Sequence, residues 1–183
     1  MKKISFILSL LMVFFMASNS NAQTVQKEQN VPKRCLAKGS LILLEGDKAK
    51  AVEALETGDV IKTYNPISQQ YVLRTVKNLH QIASLKTFHV ILENRASIQL
   101  TADHPILSLS GWKSMRPSET KKYGYTEAKA YDVGDELLHY EKGEITPLKV
   151  IKIIPELEYY DTYIVELDGD EVLIANGFLV GQE

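Results

Sequence analysis

The sequence predicts an all-β domain built from two related halves. Three observations predict it. Short runs rich in Val, Ile, Leu, Thr and Tyr follow one another, separated by Gly, Pro, Asn and Asp. The same turn-and-strand pattern occurs twice, in the same order. Helical periodicity is weak and confined to residues 117–130, which read mainly as a loop crossing.

The chain of 183 residues opens with a leader. Lys2 and Lys3 supply a positive start, and residues 4–17 are apolar except for Ser5 and Ser9. Ser20-Asn21-Ala22 offers small residues at a cleavage site. This is the pattern of a secretory signal peptide over residues 1–22. The apolar run of 14 residues is shorter than the roughly 20 that cross a bilayer. An uncleaved anchor is the alternative. A lipoprotein is not indicated, because Cys35 follows Pro32-Lys33-Arg34 rather than small residues. The expected product is exported, periplasmic or extracellular, with no membrane contact after the leader is removed.

Without the leader, 19 basic residues stand against 23 acidic ones, a formal net charge of −4. That suits solubility and gives no broad basic face for nucleic acid. The remaining length fits one ordinary domain, expected to be a monomer. Residues 23–34 are polar, with Pro32 near their end, and read as a flexible lead-in. Residues 35–183 form the domain.

From Leu41 the elements follow in order. Residues 41–44 are an apolar strand, closed by the turn Glu45-Gly46-Asp47. Residues 51–55 suit a single helical turn. Gly58-Asp59 leads into a strand over 60–64, which Asn65-Pro66 breaks. Further strands are expected over 71–82, 87–92, 97–100 and 105–108. The second half predicts strands over 136–140, 148–154, 162–167 and 171–174.

The repeat is explicit. Ala54-Leu-Glu-Thr-Gly58-Asp59-Val-Ile-Lys-Thr-Tyr64 matches Ala130-Tyr-Asp-Val-Gly134-Asp135-Glu-Leu-Leu-His-Tyr140. Residues 87–92 parallel 162–167, and residues 98–101 parallel 172–175. Each half is too small to bury its own sheet and must pack on the other. Residues 54–107 and 130–179 are therefore expected to form a pseudo-two-fold pair.

Cys35 is the only cysteine, so no internal disulfide can form. A lone cysteine is by itself often a small buried apolar residue. Its place at a composition break gives it a second possibility. Its thiol lies next to the Arg34 carbonyl and can attack that peptide bond without a bimolecular encounter. His104, just past a strand end and fixed by Pro105, is the candidate acid or base. Cys with His is the basic set for acyl chemistry. His80, His89 and His139 lie in strand-like runs and read as structural or exposed. The four histidines lack ligand spacing, so neither a metal nor a cofactor is expected.

Three stretches together resemble the Hint domain family, shared by inteins, bacterial intein-like domains and the Hedgehog autoprocessing domain. They are Cys35-Leu-Ala-Lys-Gly-Ser-Leu-Ile with Val52-Glu-Ala-Leu-Glu-Thr-Gly-Asp-Val; Leu100-Thr-Ala-Asp-His-Pro-Ile with Gly111-Trp112; and Tyr160-Asp-Thr-Tyr-Ile-Val-Glu-Leu with Ala175-Asn-Gly-Phe-Leu-Val. The resemblance spans residues 35–183 and implies an all-β horseshoe with internal pseudo-symmetry. By position it implies that Cys35 is the nucleophile of an N-to-S acyl shift at Arg34–Cys35. His104 then protonates the departing Cys35 nitrogen, Thr101 helps to hold the scissile peptide, and Asp161 is an acidic group near the thiol, able to accept its proton. The substrate is the chain's own N-terminal segment, and water or an external thiol takes the acyl group.

The last residues depart from the family pattern. Splicing inteins end in His-Asn before Ser, Thr or Cys, whereas Gly181-Gln182-Glu183 stands here. Gly181 lacks the side chain that assists cyclisation, and Gln182 would close a larger, slower ring. N-terminal self-cleavage is expected and full splicing is not. Two rivals remain: a degenerate Hint fold serving as a binding or structural module, and a Cys–His hydrolase acting on other proteins.

Overall fold

The computed structural model describes residues 34–182 apart from Glu171, without the side chains of residues 83–85. The leader and residues 23–33 of the lead-in lie outside the described residues. Among those described, almost all regular structure is β. The strands are β1 (Leu36–Ala37), β2 (Leu41–Leu43), β3 (Ala49–Ala51), β4 (Val60–Asn65), β5 (Gln70–Leu92), β6 (Ser97–Leu100), β7 (Ile106–Ser108) and β8 (Gly111–Ser114). One short helix, α1 (Pro117–Thr120), follows, continued by a tighter turn over Lys121–Tyr123. Then come β9 (Lys129–Ala130), β10 (Glu136–Glu141), β11 (Glu144–Leu167), β12 (Val172–Ala175) and β13 (Phe178–Val180).

Two long strands organise the rest. β5 has 23 residues and β11 has 24, and they pair antiparallel from Leu92↔Val150 to Val76↔Leu167. Each bends by register shifts, around Lys152, between Pro155 and Tyr159, and near Asp161. Such bulges let one strand serve two sheet regions. They also join what the sequence divides: residues 71–82 and 87–92 are one strand, as are 148–154 and 162–167. The expected crossing at 117–130 contains α1, with Pro117 at its first turn, where the missing N–H has no partner to lose.

The halves repeat at the level of individual hydrogen bonds. In the first, the Gly58 N–H donates to the Val76 carbonyl at 2.9 Å and the Val76 N–H to that of Asp59 at 2.9 Å. In the second, Gly134 donates to Val150 at 2.8 Å and Val150 to Asp135 at 2.8 Å. Gly58 and Gly134 have φ of 98° and 97°, a region costly for a residue with a Cβ. The aspartate of each turn accepts the main-chain N–H three residues upstream, Glu56 or Asp132, at 2.8 Å. It also pairs with a lysine, Lys50–Asp59 at 2.8 Å and Lys113–Asp135 at 2.7 Å.

A reciprocal clasp joins the halves. The carboxylate of Glu93, just past β5, accepts the Lys149 N–H of β11 at 3.0 Å. That of Asp168, just past β11, accepts the Thr75 N–H of β5 at 3.0 Å. Between them lies one main core, with Ile61, Val90, Leu92, Ile98 and Leu100 from the first half against Leu137, Val150, Leu173 and Phe178 from the second. Burying each such side chain contributes about 1.5–3 kcal/mol, and neither half supplies the core alone.

β1 is the element that places the site. Its two residues sit between β6, through Leu36↔Leu100, and β11, through Leu36↔Tyr163 and Ala37↔Thr162. Cys35, which directly precedes it, therefore lies between these strands.

Candidate functional site

Cys35 directly precedes β1 and is fully buried. Thr101, the first residue after β6, brackets it. The Cys35 N–H donates to Thr101 Oγ1 at 3.1 Å, and the Thr101 N–H donates to the Cys35 carbonyl at 3.1 Å. The Thr101 carbonyl accepts the His104 N–H at 3.1 Å, closing a turn that carries the imidazole inward. This turn is fixed from outside. The Ala102 carbonyl accepts the Arg116 N–H at 2.9 Å, and the Asp103 carbonyl accepts the hydroxyl of buried Thr120 at 2.7 Å.

The His104 ring is 3% exposed, and its Nε2 lies 3.0 Å from the Gly181 carbonyl. A carbonyl only accepts, so Nε2 carries the proton in the neutral ring. Nδ1 then holds a lone pair, buried and without a hydrogen-bond partner. Leaving such an atom unsatisfied costs about 1–3 kcal/mol. Burial pushes the ring's pKa down to about 4, against the opposing pull of the Asp103 charge. The Arg34 charge adds to the fall, and the main chain of Cys35, standing against the ring, works against it. At neutral pH the imidazole is neutral.

Arg34 is also buried. Its guanidinium donates to the Gln182 carbonyl at 2.7 Å and lies over the Tyr123 ring, 4.2 Å from the centroid, and 5.6 Å from that of Tyr125. The Tyr125 hydroxyl donates to the same Gln182 carbonyl at 3.0 Å. Tyr123 donates to buried Asp103 at 3.3 Å, and burial, then the Asp103 charge, raises its pKa. Trp112 meets Tyr125 edge to face at 4.8 Å. Arg34, Trp112, Tyr123, Tyr125 and Gln182 line a cleft of about 600 Å³ with Glu127 and Asp170 among its walls.

The last described residues seal the site. The Gly181 N–H donates to the Pro105 carbonyl at 2.9 Å. A Cβ on Gly181 would lie 2.3 Å from the Tyr125 hydroxyl and 2.6 Å from Pro105 Cγ. Tyr125 thus fills the space that a side chain at 181 would need. The Gln182 amide donates to the Gly169 carbonyl, and its Oε1 is buried without a partner.

The structure thus brings Thr101 and His104 onto Cys35. Asp161 lies on β11 beside the Ala37–Lys38 end of β1, its carbonyl accepting the Lys38 N–H at 2.9 Å. It stands three positions along β11 from the place opposite Cys35. Sequence reasoning missed Tyr123 and Tyr125, which sit in the stretch read as a crossing, and the anchoring of the Arg34 side chain. The one available signal was an aromatic pair at alternate positions beside Gly124. Of the other histidines, His139 is buried while His80 pairs with Glu166 at 3.0 Å near the surface. No group of acidic, histidine and cysteine side chains among the described residues is arranged to hold a metal ion.

No family model matches the sequence, and no curated protein matches it. Solved structures do. A DnaB intein from Synechocystis sp. PCC 6803 superposes with a TM-score of 0.69 at 16% identity, covering 82% of this chain and 99% of that one. The chain has the intein, or Hint, fold. A bacterial intein-like domain from Clostridium thermocellum matches with a TM-score of 0.63 at 18% identity, over 82% of this chain and 99% of the other. The gp41-1 intein gives 0.61 at 16% identity, over 82% and 99%. At these identities the likeness concerns the fold; the chemistry has to be argued from the site.

Proposed function

We propose that this Hint domain is an exported, self-acting processing domain that cleaves its own chain between Arg34 and Cys35. One observation carries the reading: Thr101 holds the N–H of the bond to be cut, and a neutral, buried His104 with an unpartnered Nδ1 stands against the same residue. The thiol proton of Cys35 passes to His104 Nδ1, and Sγ attacks the Arg34 carbonyl carbon. As the C–N bond breaks, the imidazolium returns the proton to the Cys35 nitrogen, which leaves as an amine. A thioester replaces the peptide bond. Water or an external thiolate then takes the acyl group, releasing the chain that ends at Arg34. One imidazole serves as base and then as acid, so no proton is exchanged with solvent in the first step. Asp161, which the resemblance gives as the proton acceptor, is on this reading a neighbour of β1, and His104 takes that part.

Splicing is not proposed, since Gly181 supplies no side chain to assist cyclisation and Tyr125 occupies its space. The same packing favours the second reading, a Hint fold kept as a binding module. Intact mass against time, with and without a small thiol, separates the two. Cleavage yields a new N-terminus at Cys35, faster with thiol. A folded wild type that stays whole for days with thiol present leaves the binding module.

A further inference from the structure

The residue before the cysteine is held as a ligand is held. Arginine is almost never buried unless paired, yet Arg34 is 8% exposed. Its guanidinium lies over Tyr123, 4.2 Å from the ring centroid, and reaches the Gln182 carbonyl at 2.7 Å. Tyr125 closes a second side and donates to the same carbonyl. Glu127 and Asp170 set negative charge among the cleft walls. A planar, delocalised cation suits this arrangement, whereas a lysine ammonium is a strongly hydrated point charge and does not stack in the same way.

We propose that the cleft between Tyr123, Tyr125 and Gln182 is an arginine-recognising site, which selects the residue on the acyl side of the cut by its guanidinium. This rests on the self-cleavage reading for its purpose, though not for its existence. The contact serves geometry as well as selection. Arg34 grips the carbonyl of Gln182, next to the Gly181 carbonyl that fixes the His104 ring. Arg34 is therefore a positioning residue for the imidazole as well as the anchor of the scissile bond. The contacts with Tyr123, Tyr125 and Gln182 are made by the guanidinium, not by the bond that breaks, so the site keeps its affinity for an arginine side chain after cleavage.

The test uses Trp112, the only tryptophan of the chain, which lines the cleft against Tyr125. In a Cys35→Ala, Arg34→Ala double variant of the full chain, N-ethylguanidinium replaces the missing side chain. Its titration is expected to shift Trp112 emission and saturate in the millimolar range, with propylammonium binding at least tenfold more weakly. With Cys35 present, Arg34→Lys is expected to slow thiol-induced cleavage by roughly tenfold. Arg34→Ala is expected to slow it further, with N-ethylguanidinium restoring part of the rate. A folded double variant whose emission does not saturate, or responds equally to both cations, overturns the site. If Arg34→Ala fails to fold, Arg34→Met in the Cys35→Ala background keeps the stem without the charge. Emission unchanged from Cys35→Ala alone then overturns the site. A wild type that does not cleave while the titration saturates removes the self-cleavage reading and leaves the arginine site standing.

Discussion

The two halves share a scaffold and differ where each leaves its last paired strand. In the second half β12 turns back into β13 through Asn176-Gly177, both with positive φ, 49° and 82°. That is the two-residue turn natural to a twisted hairpin. In the first half β6 does not turn back. Residues 101–105 cross instead to β7, which pairs with β13 and β8 rather than with β6. At equivalent positions Thr101 stands for Ala175 and His104 for Phe178. The polar side chains occupy the crossing, and apolar ones occupy the hairpin. A duplicated frame thus supports a single site, placed where one copy departs from the cheaper connection.

The largest expected effect breaks the comparison at its centre. Cys35→Ala abolishes cleavage at Arg34–Cys35, seen as constant intact mass with thiol present, because no other residue can form the thioester. Next come the equivalent positions of the crossing and the hairpin. His104→Ala slows cleavage by about 10²–10⁴, the range for removing a positioned proton carrier, with little loss of fold. Phe178→Ala destabilises by about 3–5 kcal/mol through the cavity it leaves in the core, measured by denaturant unfolding. Similar stability losses at both sites would show that His104 is merely core.

Acid sharpens the same contrast. The His104 pKa falls from 6.5 to about 4 on folding, so the folded state binds its proton less well than the unfolded chain. The linked stability is fully present above about pH 6.5 and is lost as pH drops through about 4, to the extent of about 3 kcal/mol. Unfolding measured from pH 7 to pH 4 should fall more steeply for wild type than for His104→Gln. Burial lowers the pKa of His139 too, but this is common to both proteins and cancels. Equal slopes would mean that the imidazole is not held neutral.

The smallest effects test the shared part. Asp59→Ala and Asp135→Ala each remove a turn hydrogen bond and a surface ion pair, at about 1 kcal/mol apiece. Near-equal shifts of the unfolding midpoint support a common frame. A large effect at one site alone breaks the equivalence of the halves.

The repeated turns were legible because Gly and Asp at fixed offsets carry their own conformational meaning. The continuity of β5 and β11 was not, because bulges and Pro155 interrupt the alternation that marks a strand. Thr101 and His104 could be read because they share one short motif with a proline. Arg34 could not, because its burial depends on Tyr123, Tyr125 and Gln182, which only the folded chain brings to it. Nor does the sequence show how far Asp161 stands from Cys35, since that distance is set by the register of β1 against β11.

Tyr125 and Gly181 also bear on which substitutions this chain can accept. The tyrosine hydroxyl lies where any side chain at 181 would begin. A larger residue there requires a smaller one at 125 and room at Pro105, and losing Tyr125 removes a donor to Gln182 and a wall of the cleft. The packing therefore couples positions 105, 125 and 181: the space at one is set by what stands at the other two.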